Sequence, residues 1–197
     1  MPSVAVEVDS TSLATLRCDE FHVVAIRISS TRIEEAFATL EITTSTHPET
    51  GESTYLKWVH DYVLQPGQAI TVRLTDEGET TGEGKTIDDL YPDKDSGDHQ
   101  EPKSEAECFQ ELRAMRKIRD GYTFTLNSPA NPSYRGATQA DEHGFSFHLL
   151  WNWVRPHRAR LSLSSYTIDS VEKRTPSREH SHEYIQAGQS ATLRVDA

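Results

Sequence analysis

One stretch of this chain recurs, and the recurrence limits what the chain can fold into. Residues 56–74, LKWVHDYVLQPGQAITVRL, return near the C-terminus as residues 182–195, HEYIQAGQSATLRV. Omitting Leu64 brings His60 onto His182, Tyr62 onto Tyr184, Gly67 onto Gly188, Gln68 onto Gln189, Thr71 onto Thr192 and Arg73 onto Arg194. Each occurrence is a pair of alternating apolar runs joined through a Gly-containing turn, the pattern expected of a β-hairpin.

The segments upstream agree with a duplication. Phe21–Ile28 (FHVVAIRI) reads as a buried strand, and Phe147–Val154 (FHLLWNWV) opens with the same Phe-His at a compatible distance from its hairpin. Residues 36–43 and Arg158–Ser164 (RARLSLS) alternate as the strands between. Val4–Val8 and Tyr122–Leu126 alternate as well, and residues 127–144, rich in Pro, Asn and Gly, read as a long loop. The expected fold is therefore mainly β, an antiparallel sandwich-like body made of two copies of a four- or five-stranded unit. Residues 1–74 form the first copy, 75–103 an acidic connector, 104–121 a helix and 122–197 the second copy. Ser104 and Glu107 make a capping box for that helix, whose apolar stripe would be Phe109, Leu112, Met115 and Ile118.

Charge separates these segments. The net charge is −11, made up of −5 over residues 1–74, −9 over 75–107 and +3 over 108–197. Such a balance argues against general nucleic-acid binding, where phosphate contacts supply most of the affinity. It suits a basic protein partner attracted by a complementary field. The acids Asp76, Glu77, Glu79, Glu83, Asp88, Asp89 and Asp93, with Tyr91 as an aromatic anchor, are the candidate partner-binding residues. The connector reads as a linker or mobile loop, broken by one helical turn at Ile87–Tyr91. No secretory leader or membrane-spanning run is evident, and Cys18 and Cys108 are ninety residues apart. A cytoplasmic protein with free thiols is expected.

Signs of chemistry are sparse. GETTGEGKT (residues 78–86) approaches a phosphate-binding loop, but its spacing is one residue too long and four acids surround it. There is no GxSxG or HExxH, and no cofactor is expected. His180 and His182 would share one face of an extended strand and are the weak candidates for a metal site. Trp151 and Trp153, on one strand face with Phe145, Phe147 and Leu149, would serve a carbohydrate-binding or structural module if exposed; otherwise they are core. The leading expectation is a non-enzymatic module that neutralises or sequesters a basic protein, as an immunity protein does. A sugar-binding module and a histidine-based metal protein are the alternatives.

Overall fold

The computed structural model describes residues 2–92 and 103–197. Alternating runs become strands because each has one apolar face to bury and one polar face to solvate. In chain order these are β1 (Ser3–Val8), β2 (Thr11–Arg17), β3 (Val23–Thr31), β4 (Ala38–Thr46), β5 (Thr54–Leu64) and β6 (Ala69–Thr75). The second half supplies β7 (Thr123–Asn127), β8 (Tyr134–Ala137), β9 (Gly144–Asn152), β10 (Arg158–Tyr166), β11 (Arg178–Gln186) and β12 (Gln189–Asp196). Among the described residues three α-helices accompany them: α1 (Ile87–Leu90), α2 (Glu105–Ala114) and α3 (Ile168–Glu172).

Two six-stranded antiparallel sheets result, ordered β2-β1-β6-β12-β7-β8 and β11-β10-β9-β3-β4-β5. Each order is a palindrome of the repeat: three strands of one copy, then the matching three of the other in reverse. The copies are joined along β6–β12 in one sheet and β3–β9 in the other. Inner faces carry Val4, Val6, Leu16, Val72 and Leu193 from the first sheet and Ile26, Ile28, Leu40, Phe147 and Leu161 from the second, all buried in one core.

Register fixes the repeat residue by residue. Thr71 faces Thr192 across β6–β12, and Arg27 faces His148 across β3–β9, both pairs 121 residues apart. Each pair therefore lies on a pseudo-twofold axis, and the two Thr hydroxyls are 2.9 Å apart on it. The same offset carries buried Ala38, Leu40, Ile42 and Thr44 onto buried Ala159, Leu161, Leu163 and Ser165. Hydrogen bonds repeat with it. Gly67 N–H donates to Val195 O (2.8 Å) as Gly188 N–H does to Leu74 O (2.7 Å), and His22 N–H donates to Ser45 O (2.9 Å) as His143 N–H does to Tyr166 O (2.7 Å).

Several expectations need correction. The repeated stretch is not a hairpin: β5 and β6 lie in different sheets, as do β11 and β12. Gly67 (φ 79°) and Gly188 (φ 82°) turn the chain from one sheet to the other, and alternation with a Gly turn does not distinguish such an arch from a hairpin. The extra residue of the first copy is Asp61, not Leu64. Leu40 pairs with Tyr62 and Ile42 with Val59, whereas Leu161 pairs with Glu183 and Leu163 with Ser181. Asp61, at φ 52°, absorbs the additional step as a bulge. Tyr62 therefore corresponds to Glu183 rather than Tyr184. The recurring Phe-His is coincidental, because the counterpart of His22 is His143, and His148 sits at mid-strand opposite Arg27.

The helix α2 stops at Ala114 rather than running to residue 121, and Met115 and Ile118 are exposed. Met115 already has extended backbone. The long loop at 127–144 holds strand β8, and Thr11–Arg17 form β2, whose first residues face solvent and so weaken the apolar alternation there.

Candidate functional site

The acidic segment following β6 is a docked strap as far as residue 92, not a free linker. Ser3 Oγ donates to Gly78 O (3.1 Å), Thr81 N–H to Thr15 O (2.9 Å), and Arg17 N–H to Thr80 Oγ1 (3.0 Å), which ties the strap to the β2 edge. Thr80 Oγ1 donates in turn to Glu20 (2.7 Å). The strap then crosses to the other sheet, where Lys85 and Lys57 exchange two backbone bonds of 2.8 and 2.9 Å at the β5 edge. Both outer edge strands of the first copy are covered in this way, which protects groups that would otherwise template another chain.

Of the candidate acids, Asp76, Glu77, Glu79, Glu83, Asp88 and Asp89 are all exposed on this strap, while Asp93 lies outside the described residues. Asp89 has structural work: its carboxylate accepts from Thr86 N–H (2.9 Å) and Thr86 Oγ1 (2.7 Å) as the cap of α1. Those bonds hold its pKa below the usual carboxylate value. Tyr91 is exposed, with its hydroxyl 2.7 Å from His60 Nε2 and its ring edge-on to that imidazole.

His180 and His182 do not share a face. Both copies bulge here, between Ile42 and Thr43 on β4 and between Leu163 and Ser164 on β10, and the extra residues are Trp58 and His180. Bulging turns both rings inward, leaving His182 exposed beside Glu179 (3.4 Å). Trp58 Nε1–H donates to Thr44 Oγ1 (2.9 Å), and His180 Nε2 lies 2.8 Å from Ser165 Oγ, the counterpart hydroxyl. The first copy packs Phe21 edge-on against Trp58, with ring centres 5.8 Å apart. In the second copy the corresponding residue is Glu142.

Glu142 makes the second copy's end polar. Its buried carboxylate accepts from Ser165 Oγ (2.7 Å), Gln139 N–H (2.6 Å) and Arg178 Nε and Nη2 (2.8 and 2.7 Å). Burial alone would raise its pKa, but Arg178, the Gln139 amide and Ser165 outweigh it and hold it at about 2. Since Ser165 donates to Glu142, it accepts from His180 Nε2–H, and His180 Nδ1 accepts from Tyr134 O–H at 2.7 Å. Burial and Arg178 lower the His180 pKa, consistent with a neutral ring. Serine, histidine and carboxylate thus meet, yet the serine gives its proton to the acid and is fully buried, so the histidine is not a base for it.

Among the described residues, one trio of ligand-type side chains converges: Glu41, His60 and Asp61, with atoms within 4.8 Å of one another. The Lys57 ammonium already occupies the middle, 3.1 Å from Glu41 and 3.3 Å from His60 Nδ1. A cation there would displace an ion pair, and the set gives no zinc-like geometry.

The aromatics divide. Phe145, Phe147, Leu149 and Trp151 are core, whereas Trp153 lies beyond the end of β9 and is 59% exposed. Losing Trp151 to the core removes half of the proposed sugar platform. Trp153 instead walls a cleft of about 350 Å³ at the open end of the sandwich, floored by Cys18, Phe21, Trp151 and Pro156 and edged by Asp19, Glu20 and His22. Its ring stands edge-on to His22 with centres 5.2 Å apart. Burial and nearby Asp19 push the Cys18 thiol up to about 12, so it is no nucleophile. Beyond Trp153 is a second hollow lined by Arg155, Arg158, Arg160 and Tyr184, with Arg158 stacked 4.1 Å over the Tyr184 ring.

Glu20 joins the first cleft to the strap through Thr80, making acidic ridge and apolar hollow one continuous surface. The sequence drew attention to the strap acids and to Trp153, and it gave Cys18 only as a thiol and Phe21-His22 only as the start of a strand, because the segment between β2 and β3 carries no motif that joins them to Trp153. Comparison with known proteins gives no matching family model, curated protein or solved structure.

Proposed function

We propose that this chain is a non-enzymatic protein-binding module whose acidic strap covers a basic surface of another protein, in the manner of an immunity protein neutralising a toxin. The observation behind this reading is the strap itself. Glu77, Glu79, Glu83 and Asp88 are exposed, and none has an ion-pair partner among the described residues. The backbone that presents them is tied to both edge strands. Fixed charges cost less ordering on binding than charges on a free loop, and a field of one sign raises association rates. The neutral, inward-facing His180 and the proton-donating Ser165 give no support to catalysis. Free Cys18 and Cys108 suit a cytoplasmic setting.

The test is capture from native lysate with the wild-type chain and with a Glu77, Glu79, Glu83 and Asp88→Lys variant, at about 50 and about 500 mM salt, a range that screens exposed charges strongly. A single basic protein should bind the wild type at low salt, weaken at high salt and be lost from the variant. Equal retention by both chains would defeat the electrostatic reading.

A further inference from the structure

The outer face of the second sheet concentrates positive charge in a chain whose balance is acidic. Arg158 and Arg160 flank buried Ala159 on β10 and so share the solvent side of the sheet. Arg160 stands between Leu150 of β9 and Tyr184 of β11. The turn after β9 brings Arg155 beside them: its N–H donates to Asn152 O and Oδ1 (both 3.2 Å), and its carbonyl accepts from Arg158 N–H (3.3 Å). The three arginines line one hollow of about 320 Å³, with Leu150 and Val154 as its apolar wall. None of the three has an ion-pair partner among the described residues; the acids of this face lie elsewhere, Glu41 on Lys57 (3.1 Å) and Glu179 beside His182 (3.4 Å). Arg158 is held by an aromatic face instead, its guanidinium 4.1 Å from the Tyr184 ring centre and its Nε buried without a hydrogen-bond partner. Burial, together with Arg27 and Arg160, keeps the neighbouring His148 below the ordinary histidine pKa, so the positive field extends along β9. The repeat shows that the strands do not require these cations. Trp153 N–H donates to His22 O (2.9 Å) as Arg32 N–H donates to His143 O (2.7 Å), so the two turns correspond, and the first copy has Glu34, Phe37 and Thr39 where the second has Arg155, Arg158 and Arg160.

We propose that this hollow binds a small phosphate monoester. Guanidinium groups gathered without acids repel one another, and a dianion among them relieves that repulsion more fully than a singly charged carboxylate does. The planar fork of arginine donates two parallel N–H bonds to a pair of phosphate oxygens, and several forks suit the three free oxygens of a monoester. Arg158, already laid flat on Tyr184, loses little freedom when it donates. The hollow exceeds what a bare phosphate fills, and Leu150 and Val154 receive the organic body of the ester. A free ester suits it better than an anionic membrane, because such a surface repels a chain of net charge −11 as a whole. The site stands apart from the acidic strap, which meets this sheet at its opposite edge, β5, so the two readings succeed or fail separately.

The probe is phenyl phosphate, titrated to about 5 mM into the ¹⁵N-labelled full chain at about 25 mM salt, where exposed charges are little screened. Amide shifts are expected at residues 150–160 and 184–186, with half-saturation below about 1 mM. Inorganic phosphate should shift the same amides and bind several-fold more weakly, since it leaves Leu150 and Val154 uncovered. Arg160→Gln, at an exposed position, should weaken phenyl phosphate at least about tenfold, the loss of one charge-assisted hydrogen bond. Arg135→Gln, at an exposed position on β8, should leave binding unchanged, and both variants should melt within about a degree of the wild type. No shifts at residues 150–160 would overturn the site. Equal weakening by Arg160→Gln and Arg135→Gln would also overturn it, reducing the binding to general charge attraction. Phosphatidylcholine vesicles with about 20% phosphatidic acid, a lipid phosphate monoester, separate the two sources of this chemistry. No co-sedimentation is expected; co-sedimentation that depends on Arg160, without shifts from phenyl phosphate, would overturn the free ester in favour of a lipid surface.

Discussion

Glu142→Gln tests whether the second copy's buried network carries stability in the way its geometry implies. The wild-type carboxylate accepts four hydrogen bonds, two from Arg178, and its pKa falls from the ordinary 4.5 to about 2. A carboxyl that titrates lower in the folded state than in the unfolded state stabilises the fold above its unfolded pKa, and this contribution is lost as the pH falls towards the folded value. A separation of this size amounts to about 3 kcal/mol at pH 7, of which about 1 kcal/mol remains at pH 3. The glutamine variant has no such titration, and its amide N–H pair would be turned towards Ser165, Gln139 or Arg178, which are donors themselves. Guanidinium unfolding of both chains at pH 7, 5, 4 and 3 should therefore show a gap of about 3 kcal/mol that narrows steadily below pH 5, with unchanged m-values. His148, whose pKa burial lowers, destabilises both chains alike as the pH drops below 6.5, whereas His180 loses the attraction of the Glu142 carboxylate in the variant and titrates lower there, which opposes part of the narrowing. A gap that stayed constant from pH 7 to pH 3 would refute the assignment, leaving only a packing cost.

Three further outcomes follow from the same geometry. Transplanting the first copy's end into the second (Glu142→Phe, Ser165→Thr, Arg178→Leu and His180→Trp together) should fold and lose most of the acid sensitivity between pH 5 and 3, read by the same titration. Asp89→Lys should lower the unfolding midpoint by removing the carboxylate half of the α1 capping box, whereas Asp88→Lys should leave it nearly unchanged, measured by chemical unfolding. Gly144→Ala should be severe, at least about 2 kcal/mol, because its Cβ would stand 2.3 Å from Ser30 O, and backbone cannot yield as a side chain can; a Tm within a degree of wild type would show that β3 and β9 separate readily there.

How much of this was legible in the sequence depends on which kind of symmetry is in question. Backbone symmetry was readable where it rests on side chains facing the core: Leu40 and Leu161, or Ile42 and Leu163, are apolar in both copies because both face the same core. It was unreadable where the turn decides, because Gln65–Gln68 and Gln186–Gln189 make the same side-chain-to-backbone bonds whether the chain returns to its own sheet or crosses to the other. The bulge at Asp61 was hidden for a similar reason. A one-residue insertion can be placed anywhere in an alternating run on paper, but in the sheet it must sit where a residue tolerates positive φ, and Asp does so more readily than Leu. The strap acids were visible as composition, yet their anchoring by Thr80, Thr81 and Lys85 was not, since those bonds go to strands well separated in sequence.

The departures from symmetry are more informative about function than the symmetry itself. The two ends of the duplicated unit differ because their side chains differ, Phe21 and Trp58 standing where the second copy has Glu142 and His180. At the second copy's end, Tyr122, Arg32 and the segment before β7 fill the opening, and Glu142 with Arg178 seals the polar layer behind it. At the first copy's end the same strand geometry holds, but Pro2 replaces a tyrosine and Trp153 replaces the buried arginine, leaving an aromatic hollow beside Asp19 and Glu20. The acidic strap also departs from this end, bonded through Thr80 to Glu20, while α2 packs against α3 near the closed end. The root of the acidic strap and the exposed Trp153 ring thus lie at the same end of a nearly twofold body, where Arg17 pairs with Asp19 and Glu20. The two ends therefore present different chemistry to solvent: a buried arginine and a sealed carboxylate at one, an exposed tryptophan beside the root of the acidic strap at the other.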